Sequence, residues 1–202
     1  MPNNRNNIFV DPRGEYYHDA YPAQQQEPPG LESRMQPRPD TGEESYRGHG
    51  RLLGRKALIT GGDRENYNTM TVSWGQLGVL WNKDVFTCYI RPNRYTYNYL
   101  ENSESFTVSF FSEEYRKALA FCGAHSGRDC DKIKETGLTP EVLDGRVAFS
   151  EADMVFVCRK LYSYDLTESG FLTNDGIPES SYSSDPYHRA YISEITAVYV
   201  KE

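Results

Sequence analysis

The chain has 202 residues, which is enough for one domain of ordinary size and a tail. Its formal net charge of -7 argues against a nucleic-acid-binding protein, because neutralising backbone phosphates requires a basic surface. No stretch approaches the roughly 18 apolar residues of a membrane span, and the first residues lack the apolar segment of a signal peptide, so we expect a cytoplasmic protein that binds neither nucleic acid nor membrane.

The first 50 residues differ in composition from the rest of the chain. They hold seven of the eleven prolines, while Val, Ile, Leu, Met, Phe and Trp together occupy only six positions. Such a segment buries too little apolar surface to offset the entropy that ordering would cost. We therefore predict a disordered tail over residues 1–50 and one folded domain over residues 51–202.

The folded part alternates short apolar runs with turns, a pattern typical of β-strands. Strands are predicted over 55–60, 68–74, 85–90, 105–111, 146–149, 154–164 and 187–201, and short helices over 95–101, 113–122 and 129–135. A loop rich in Ser, Gly, Asp and Pro, 168–186, is expected either to cover a ligand or to be solvated. Many strands with few helices predict a mainly β domain, a closed or nearly closed antiparallel barrel.

The first of three segments that carry functional information is 68–75, within the second predicted strand. After Asn68, one face carries apolar side chains and the other hydroxyls, namely Met70, Val72 and Trp74 against Thr69, Thr71 and Ser73. The hydroxyl face suits the carbonyl and N–H edge of a flat ring. Trp74 either forms a wall for such a ring or fills the core, and Trp81 is expected at a packing or subunit interface.

The second segment, 91–97, offers cations beside a predicted helix start. Arg94 and Thr96 lie where free backbone N–H groups and the helix dipole favour an anion. Arg94 can add a bidentate pair to a phosphate, with Arg91 close by. The alternative is that Arg91 and Arg94 are solvated arginines at a strand end.

The third segment, 126–132, follows a helix that we expect to end at Gly123. Its Ser126, Gly127, Arg128 and Asp129 form a tight passage in which Gly127 is able to adopt a positive φ. Lys132 lies three residues after Asp129 on one helical face and completes a second cationic pair. The alternative is an N-cap by Ser126 or Asp129 with an ordinary surface lysine.

Taken together in this order, the three segments resemble the flavin reductase-like family, whose members share the FMN-binding split barrel. The similarity extends over about residues 57–200 and includes Ser109-Phe110-Phe111 and the ending Tyr191-Ile192-Ser193-Glu194. It implies a mainly β, Greek-key split barrel. The implied cofactor-binding residues are Asn68, Thr69, Met70, Thr71, Ser73, Trp74, Arg91, Arg94, Thr96, Ser126, Gly127, Arg128, Asp129 and Lys132.

The same resemblance implies a homodimer with each FMN in a groove near the subunit interface. Family members reduce flavin with NADH or NADPH, or pass electrons from bound FMN to another protein. The expected function is therefore an NAD(P)H-dependent flavin reductase whose chemistry the flavin supplies, and no catalytic side chain is assigned. The alternatives are a non-enzymatic, flavoredoxin-like FMN electron carrier and a chimeric chain with an impaired flavin site.

Residues 28–63 resemble a different family, because Gly54 to Asp63 is similar to the first strand and turn of a short-chain dehydrogenase. That family needs further glycines for a pyrophosphate, but Arg64 and Glu65 follow here, and no Tyr-x-x-x-Lys pair occurs. We therefore exclude a dinucleotide-binding fold and expect a junction near residues 57–63, which can equally open the barrel.

Cysteines and histidines give no metal pattern. The residues concerned are Cys88, Cys122, Cys130 and Cys158, with His18, His49, His125 and His188. Their spacing matches neither a paired CxxC nor HExxH, so we expect buried reduced thiols and no structural metal. On the closing strand, His188 is expected to be a structural histidine rather than a ring contact.

Overall fold

The computed structural model of the chain describes residues 9–10, 22–28, 30–36 and 56–201. The chain divides into two compact units, Met1–Pro12 with Gly54–Glu202, and Arg13–Leu53. In the second unit, Gln24 and Gln36 exchange two hydrogen bonds of 3.0 and 2.9 Å, and Glu32–Arg34 forms a 3-10 turn. The predicted disorder of residues 1–50 and the boundary at residue 51 fall largely outside the described residues and stay predictions.

The larger unit is mainly β. Its strands are β1 (Phe9–Val10), β2 (Lys56–Gly62), β3 (Tyr67–Val72), β4 (Gly75–Leu80), β5 (Lys83–Ile90), β6 (Ser105–Phe111), β7 (Pro140–Leu143), β8 (Arg146–Phe149), β9 (Met154–Asp165) and β10 (Arg189–Lys201). Its helices are α1 (Tyr95–Glu101), α2 (Arg116–Ala124), α3 (Lys132–Thr136) and α4 (Ile177–Tyr182), with 3-10 turns at Glu113–Tyr115 and Glu168–Gly170.

One antiparallel sheet curls into a barrel. Its strand order is β3-β2-β6-β9-β10-β5-β4, with β1 paired to the end of β10 and β7-β8 forming a separate hairpin. Only Ser73 and Trp74 separate β3 from β4 in the chain, although these strands lie at opposite ends of the sheet order. The sheet must therefore curl back on itself, and the Tyr89 N–H donates to Trp74 O at 3.2 Å, which extends the pairing of β4 with β5 into this link. The outer edge of β3 has no partner strand among the described residues.

Alternation along β2 divides the core into two clusters. Ile59 packs inside the barrel with Phe106 and Tyr191. Leu58 points to the opposite face and packs with Leu119 of α2 and other residues that include Phe149. Burying each such side chain contributes about 1.5–3 kcal/mol, so the alternation holds α2 against the outside of the barrel.

Several elements differ from the sequence prediction. The second strand ends at Val72 rather than Trp74, and β4, β7 and α4 were not predicted. All six residues of β4 are exposed, so they lack the apolar alternation that identifies a half-buried strand.

Helix ends also depart from expectation. Gly123 lies inside α2, which continues to Ala124. Helix α3 begins at Lys132 because the Asp131 carboxylate accepts from the N–H groups of Ile133 and Lys134 at 3.0 and 3.2 Å. The proposed caps at Ser126 and Asp129 were therefore wrong, and Asp131 is the N-cap.

The described helices include none with the length and hydropathy that a bilayer crossing requires. Within the same residues, no three His, Cys, Asp or Glu side chains gather as metal ligands would. The thiols of Cys88, Cys122 and Cys158 are buried as expected, whereas Cys130 is only partly buried.

Candidate functional site

The three segments meet at the side chain of Asn68. This residue is 7% exposed, and its Nδ2 donates a 2.7 Å hydrogen bond to the hydroxyl of Thr96 at the start of α1. A Cβ added at Gly127 would lie 2.1 Å from Asn68 Oδ1. A strand, a helix start and a loop that are distant in sequence therefore converge on one buried amide.

The glycine at 127 is needed for space and not for its backbone angle. Its φ is not positive, so the left-handed conformation that is open to a glycine is not used here. The loop instead passes so close to Asn68 and the Tyr95 ring that no side chain fits between them.

Two adjoining cavities flank this convergence. The Trp74 cavity has a volume of about 210 Å³ and is lined by residues 70–74 together with Arg91, Arg94, His188 and neighbours. The Lys132 cavity has a volume of about 140 Å³, and its lining includes Asn68, Arg94, Thr96, Ser126, Arg128 and Lys132. Met70 and Arg94 line both cavities, so one ligand can extend from one to the other.

The Lys132 ammonium is a buried charge. The residue is 6% exposed, and Nζ donates to the carbonyl oxygens of Thr69 and Cys122, each at 2.8 Å. Burial lowers its pKa. The alternative of an ordinary surface lysine was therefore wrong, and no carboxylate in the described part of the chain forms an ion pair with this ammonium.

Two arginines complete a cationic cluster around the Lys132 cavity. Arg94 is exposed and its side chain makes no hydrogen bond or ion pair within the described ranges. The Arg128 guanidinium carbon lies 4.8 Å from the centre of the Tyr95 ring, and its Nη1 is 3.5 Å from Asn93 O. Ser126 lines this cavity, whereas Asp129 lines neither cavity.

Arg91 has a different environment. Its Nη1 donates to Asp185 Oδ2 at 2.5 Å and its Nη2 to Ser181 O at 2.8 Å. The side chain is 16% exposed, so the alternative of a solvated arginine was wrong for Arg91. The charge of Arg91 is neutralised by Asp185, unlike that of Arg94.

Two of the three hydroxyls expected to face a ligand, those of Thr69 and Thr71, are used within the protein. Thr69 Oγ1 donates to Ile59 O at 3.2 Å, and Thr71 Oγ1 donates to Leu119 O. The main chain of β3 is the more accessible group, because Thr69 O turns away from β2 toward Lys132. In an antiparallel ladder this direction alternates, so Thr71 also presents its backbone N–H and C=O groups off the sheet edge.

Aromatic side chains form one wall of the Trp74 cavity. Trp74 is 46% exposed and packs against His188 with ring centres 4.6 Å apart, so the possibility that it fills the core was wrong. His188 is buried, and its Nδ1 is 2.9 Å from the Tyr182 hydroxyl. Burial, with the nearby charges of Arg91 and Arg94, lowers its pKa to about 4, so it is neutral at pH 7.

Sequence reasoning missed the contributions of Tyr182 and Asp185. Both come from the loop 168–186, which contacts the site and is not simply solvated. Asp185 reaches Arg91 across 94 residues of sequence, and no local pattern predicts such a pairing.

A family model described as "Flavin reductase like domain" matches residues 50–202. Curated relatives match a short segment. The oxidoreductase YhxD of Bacillus subtilis, itself described as uncharacterized, is 58% identical over 55 residues, which are 27% of this chain and 18% of that protein. The chain thus spans less than a fifth of the length of this relative, and the resemblance of residues 28–63 to a short-chain dehydrogenase stays a prediction.

Solved structures share the fold. Flavoredoxin from Methanosarcina acetivorans matches with a TM-score of 0.58 and 18% identity over 79% of this chain and 76% of that one. The FMN-binding protein from Thermus thermophilus matches with a TM-score of 0.56 and 21% identity, over 78% of this chain and 82% of that one. A protein with a split barrel domain from Shewanella frigidimarina matches with a TM-score of 0.58 and 22% identity, over 76% of this chain and 71% of that one. These likenesses confirm the predicted mainly β split barrel.

We expect Gly127→Ala to destabilise the convergence at Asn68. The added methyl group forces the Asn68 amide away from Thr96 and breaks a buried hydrogen bond, which costs about 1–3 kcal/mol. The melting temperature should fall by several degrees, as measured by circular dichroism.

Gly170→Ala is the matched control, because a Cβ at Gly170 meets only Thr167 Oγ1 among the described residues, at an ordinary contact distance of 3.7 Å. In a protein that already carries Asn68→Ala, Gly127→Ala should lower the melting temperature much less, because the amide with which the new methyl group clashes is gone. An equal loss of melting temperature in the wild-type protein and in the Asn68→Ala variant would show that Gly127 does not act through Asn68.

Proposed function

Since the chain belongs to the flavin reductase-like domain family, we propose that it binds FMN, with the phosphate in the Lys132 cavity and the ring in the Trp74 cavity. The observation that carries this proposal is the group of three cations, Arg94, Arg128 and Lys132, beside a cavity that adjoins an aromatic wall. None of the three is paired with a carboxylate in the described part of the chain. Such a group has a strong local preference for an anion, even in a chain of negative net charge.

The polar groups of the Lys132 cavity suit a phosphate in detail. Arg94 and Arg128 can donate charge-assisted hydrogen bonds, and Lys132 adds a fixed positive charge behind them. Thr96 Oγ1 accepts from Asn68, so its own O–H proton is left to donate to a ligand oxygen. These groups would bind and orient the phosphate end.

The Trp74 cavity suits a flat ring with polar edges. The backbone N–H and C=O groups of Thr71 face away from β2 and can meet ring carbonyl and N–H groups, and Ser73 lines the same cavity. The Trp74 and His188 rings provide an apolar wall and exclude water from one side. Met70 lines both cavities, so it would lie beside the part of the ligand that joins the ring to the phosphate.

We infer an oxidoreductase function in which NADH or NADPH reduces flavin. Bound FMN supplies the electron and hydride chemistry, and the residues above bind it and orient it. The second candidate is a non-enzymatic electron carrier that serves an electron-transfer protein, and the likeness to a flavoredoxin favours it. The proposed compartment for either function is the cytoplasm.

The test is a flavin titration followed by an oxidation assay. The purified protein should quench the fluorescence of added FMN with one flavin per chain. With free flavin in excess it should oxidise NADH or NADPH above the rate without protein, which is followed by absorbance. Tight FMN binding without such oxidation would favour the carrier, and failure to quench FMN would favour a chimeric chain with an impaired site.

We expect Arg94→Ala to weaken FMN binding and to leave riboflavin binding nearly unchanged. Losing a charge-assisted hydrogen bond costs about 1.5–3 kcal/mol, which is roughly tenfold to a hundredfold in Kd. Arg116→Ala is the control, because Arg116 is exposed and pairs only with Glu113 at 2.8 Å. Equal losses for FMN and riboflavin would contradict the phosphate assignment.

We also propose that the chain forms a homodimer through an apolar surface around β4. This surface comprises the exposed side chains of Leu77, Val79, Leu80, Trp81 and Tyr162. It continues from Trp74 directly along the chain, so a second copy seated there would border the flavin cavity, as the family resemblance implies. Exposed apolar side chains gathered in this way are typical of interaction surfaces.

Val79→Asp is therefore expected to convert a dimer into a monomer in light scattering, because Val79 is 72% exposed and the charge would be buried in the interface. Leu172→Asp, at a residue that is 95% exposed in the loop 168–186, is the matched control and should stay dimeric. A monomeric wild-type protein would overturn the proposed interface.

A further inference from the structure

One donor of Arg91 is buried without an acceptor. Nη1 and Nη2 of this side chain bond to Asp185 and Ser181, but Nε finds no hydrogen-bond partner in the part of the chain that the structure describes. Arg91 also lines the Trp74 cavity. A buried N–H group without an acceptor is unfavourable, so an acceptor from a ligand in this cavity would satisfy it.

The guanidinium is held in one orientation by its partners. Asp185 accepts from Arg91 through Oδ2 at 2.5 Å and from Asn93 Nδ2 through Oδ1 at 3.0 Å, so its carboxylate is fixed on both sides. Ser181 O fixes the second terminal nitrogen at 2.8 Å. A planar guanidinium bonded at both ends has its Nε–H direction fixed as well.

Asp185 and Ser181 belong to residues 167–187, a segment whose two ends lie close together. Leu166 N–H donates to His188 O at 2.9 Å, which joins the two ends of residues 167–187. The segment delivers Asp185 to Arg91 and the Tyr182 hydroxyl to His188. It therefore supports two of the groups that line the Trp74 cavity.

Arg91 and Arg94 differ in whether their charge is neutralised by a carboxylate. Asp185 neutralises Arg91, so this residue adds little attraction for a distant phosphate, whereas Arg94 makes no ion pair with any described residue. What Arg91 offers is a directed donor beside an aromatic wall. The complementary ligand group is a neutral carbonyl oxygen on a flat heteroaromatic ring.

We propose that Arg91 Nε–H donates to a ring carbonyl of a planar heteroaromatic ligand in the Trp74 cavity, and that Asp185 is a positioning residue that holds Arg91 for this bond. Under the proposed function, on which this inference rests, the ring is that of the flavin. Arg91 then recognises the ring and Arg94 recognises the phosphate. The segment 167–187 acts as a support for ring recognition.

The test compares FMN with riboflavin, which has the same ring and no phosphate. Arg91→Lys keeps the charge but lacks the directed Nε–H, and Asp185→Asn keeps the shape but loses the carboxylate charge. Each variant should weaken the binding of both flavins by the same factor, roughly tenfold for one charge-assisted hydrogen bond. The ratio of the two Kd values should therefore stay at its wild-type value, whereas Arg94→Ala should change that ratio.

A spectroscopic readout separates positioning from a merely structural role. Loss of a hydrogen bond to a ring carbonyl should shift the visible absorption bands of the bound flavin in Arg91→Lys and Asp185→Asn, measured at saturating flavin. Asp175→Asn is the matched control. Asp175 lies in the same segment and bonds only locally, to Thr173 Oγ1 and the Ile177 N–H, so neither Kd nor spectrum should change.

Three outcomes overturn the inference. Unchanged riboflavin binding in both variants would show that Arg91 does not contact the ring. A loss confined to FMN would make Arg91 a phosphate ligand. A lowered melting temperature with wild-type Kd values and spectrum would make the Arg91 and Asp185 pair purely structural. Wild-type protein that binds neither flavin would instead overturn the proposed function, and this inference with it.

Discussion

The buried amide of Asn68 is the contact on which the geometry of the site depends. It bonds to Thr96 on one side and lies against the backbone of Gly127 on the other, so it fixes a strand, a helix start and a loop relative to one another. A buried amide is costly unless its donors and acceptors are satisfied, which penalises any displacement of these three segments. The backbone positions that carry Arg94 and Lys132 are therefore held at a fixed separation.

The distribution of charge along the site follows from burial. Lys132 is buried but keeps its ammonium hydrogen-bonded to two carbonyl oxygens, which offsets part of the cost of removing it from water. Arg91 is neutralised by Asp185, and burial, with the nearby arginine charges, lowers the pKa of His188 and keeps it uncharged. Positive charge is thus concentrated at one end of the two cavities and removed from the other, as a ligand with a charged tail and a neutral ring requires.

The sequence predicted those parts of this arrangement that depend on local patterns. The bounds of α1, β6 and β8 matched because apolar alternation and turn residues determine them locally. The role of Gly127 was missed because the space available at this position is limited by Asn68, which is distant in sequence. Strand β4 was missed because all six of its residues are exposed. Its sequence therefore lacks the alternation of buried apolar and exposed polar residues by which a half-buried strand is identified. The pairing of Arg91 with Asp185 depends on tertiary structure alone.

An incompletely closed barrel explains why the proposed flavin site lies at this position. A sheet edge presents unpaired N–H and C=O groups that must find partners in water or in another molecule. Along β3 the Lys132 ammonium satisfies the Thr69 carbonyl, whereas the main chain of Thr71 points off the same edge and both Thr71 and Ser73 line the Trp74 cavity. The chain then turns at Trp74 into a strand whose side chains are all exposed. The same opening in the sheet therefore creates a polar edge suited to a ring and, directly beside it, an apolar surface suited to a second copy of the chain.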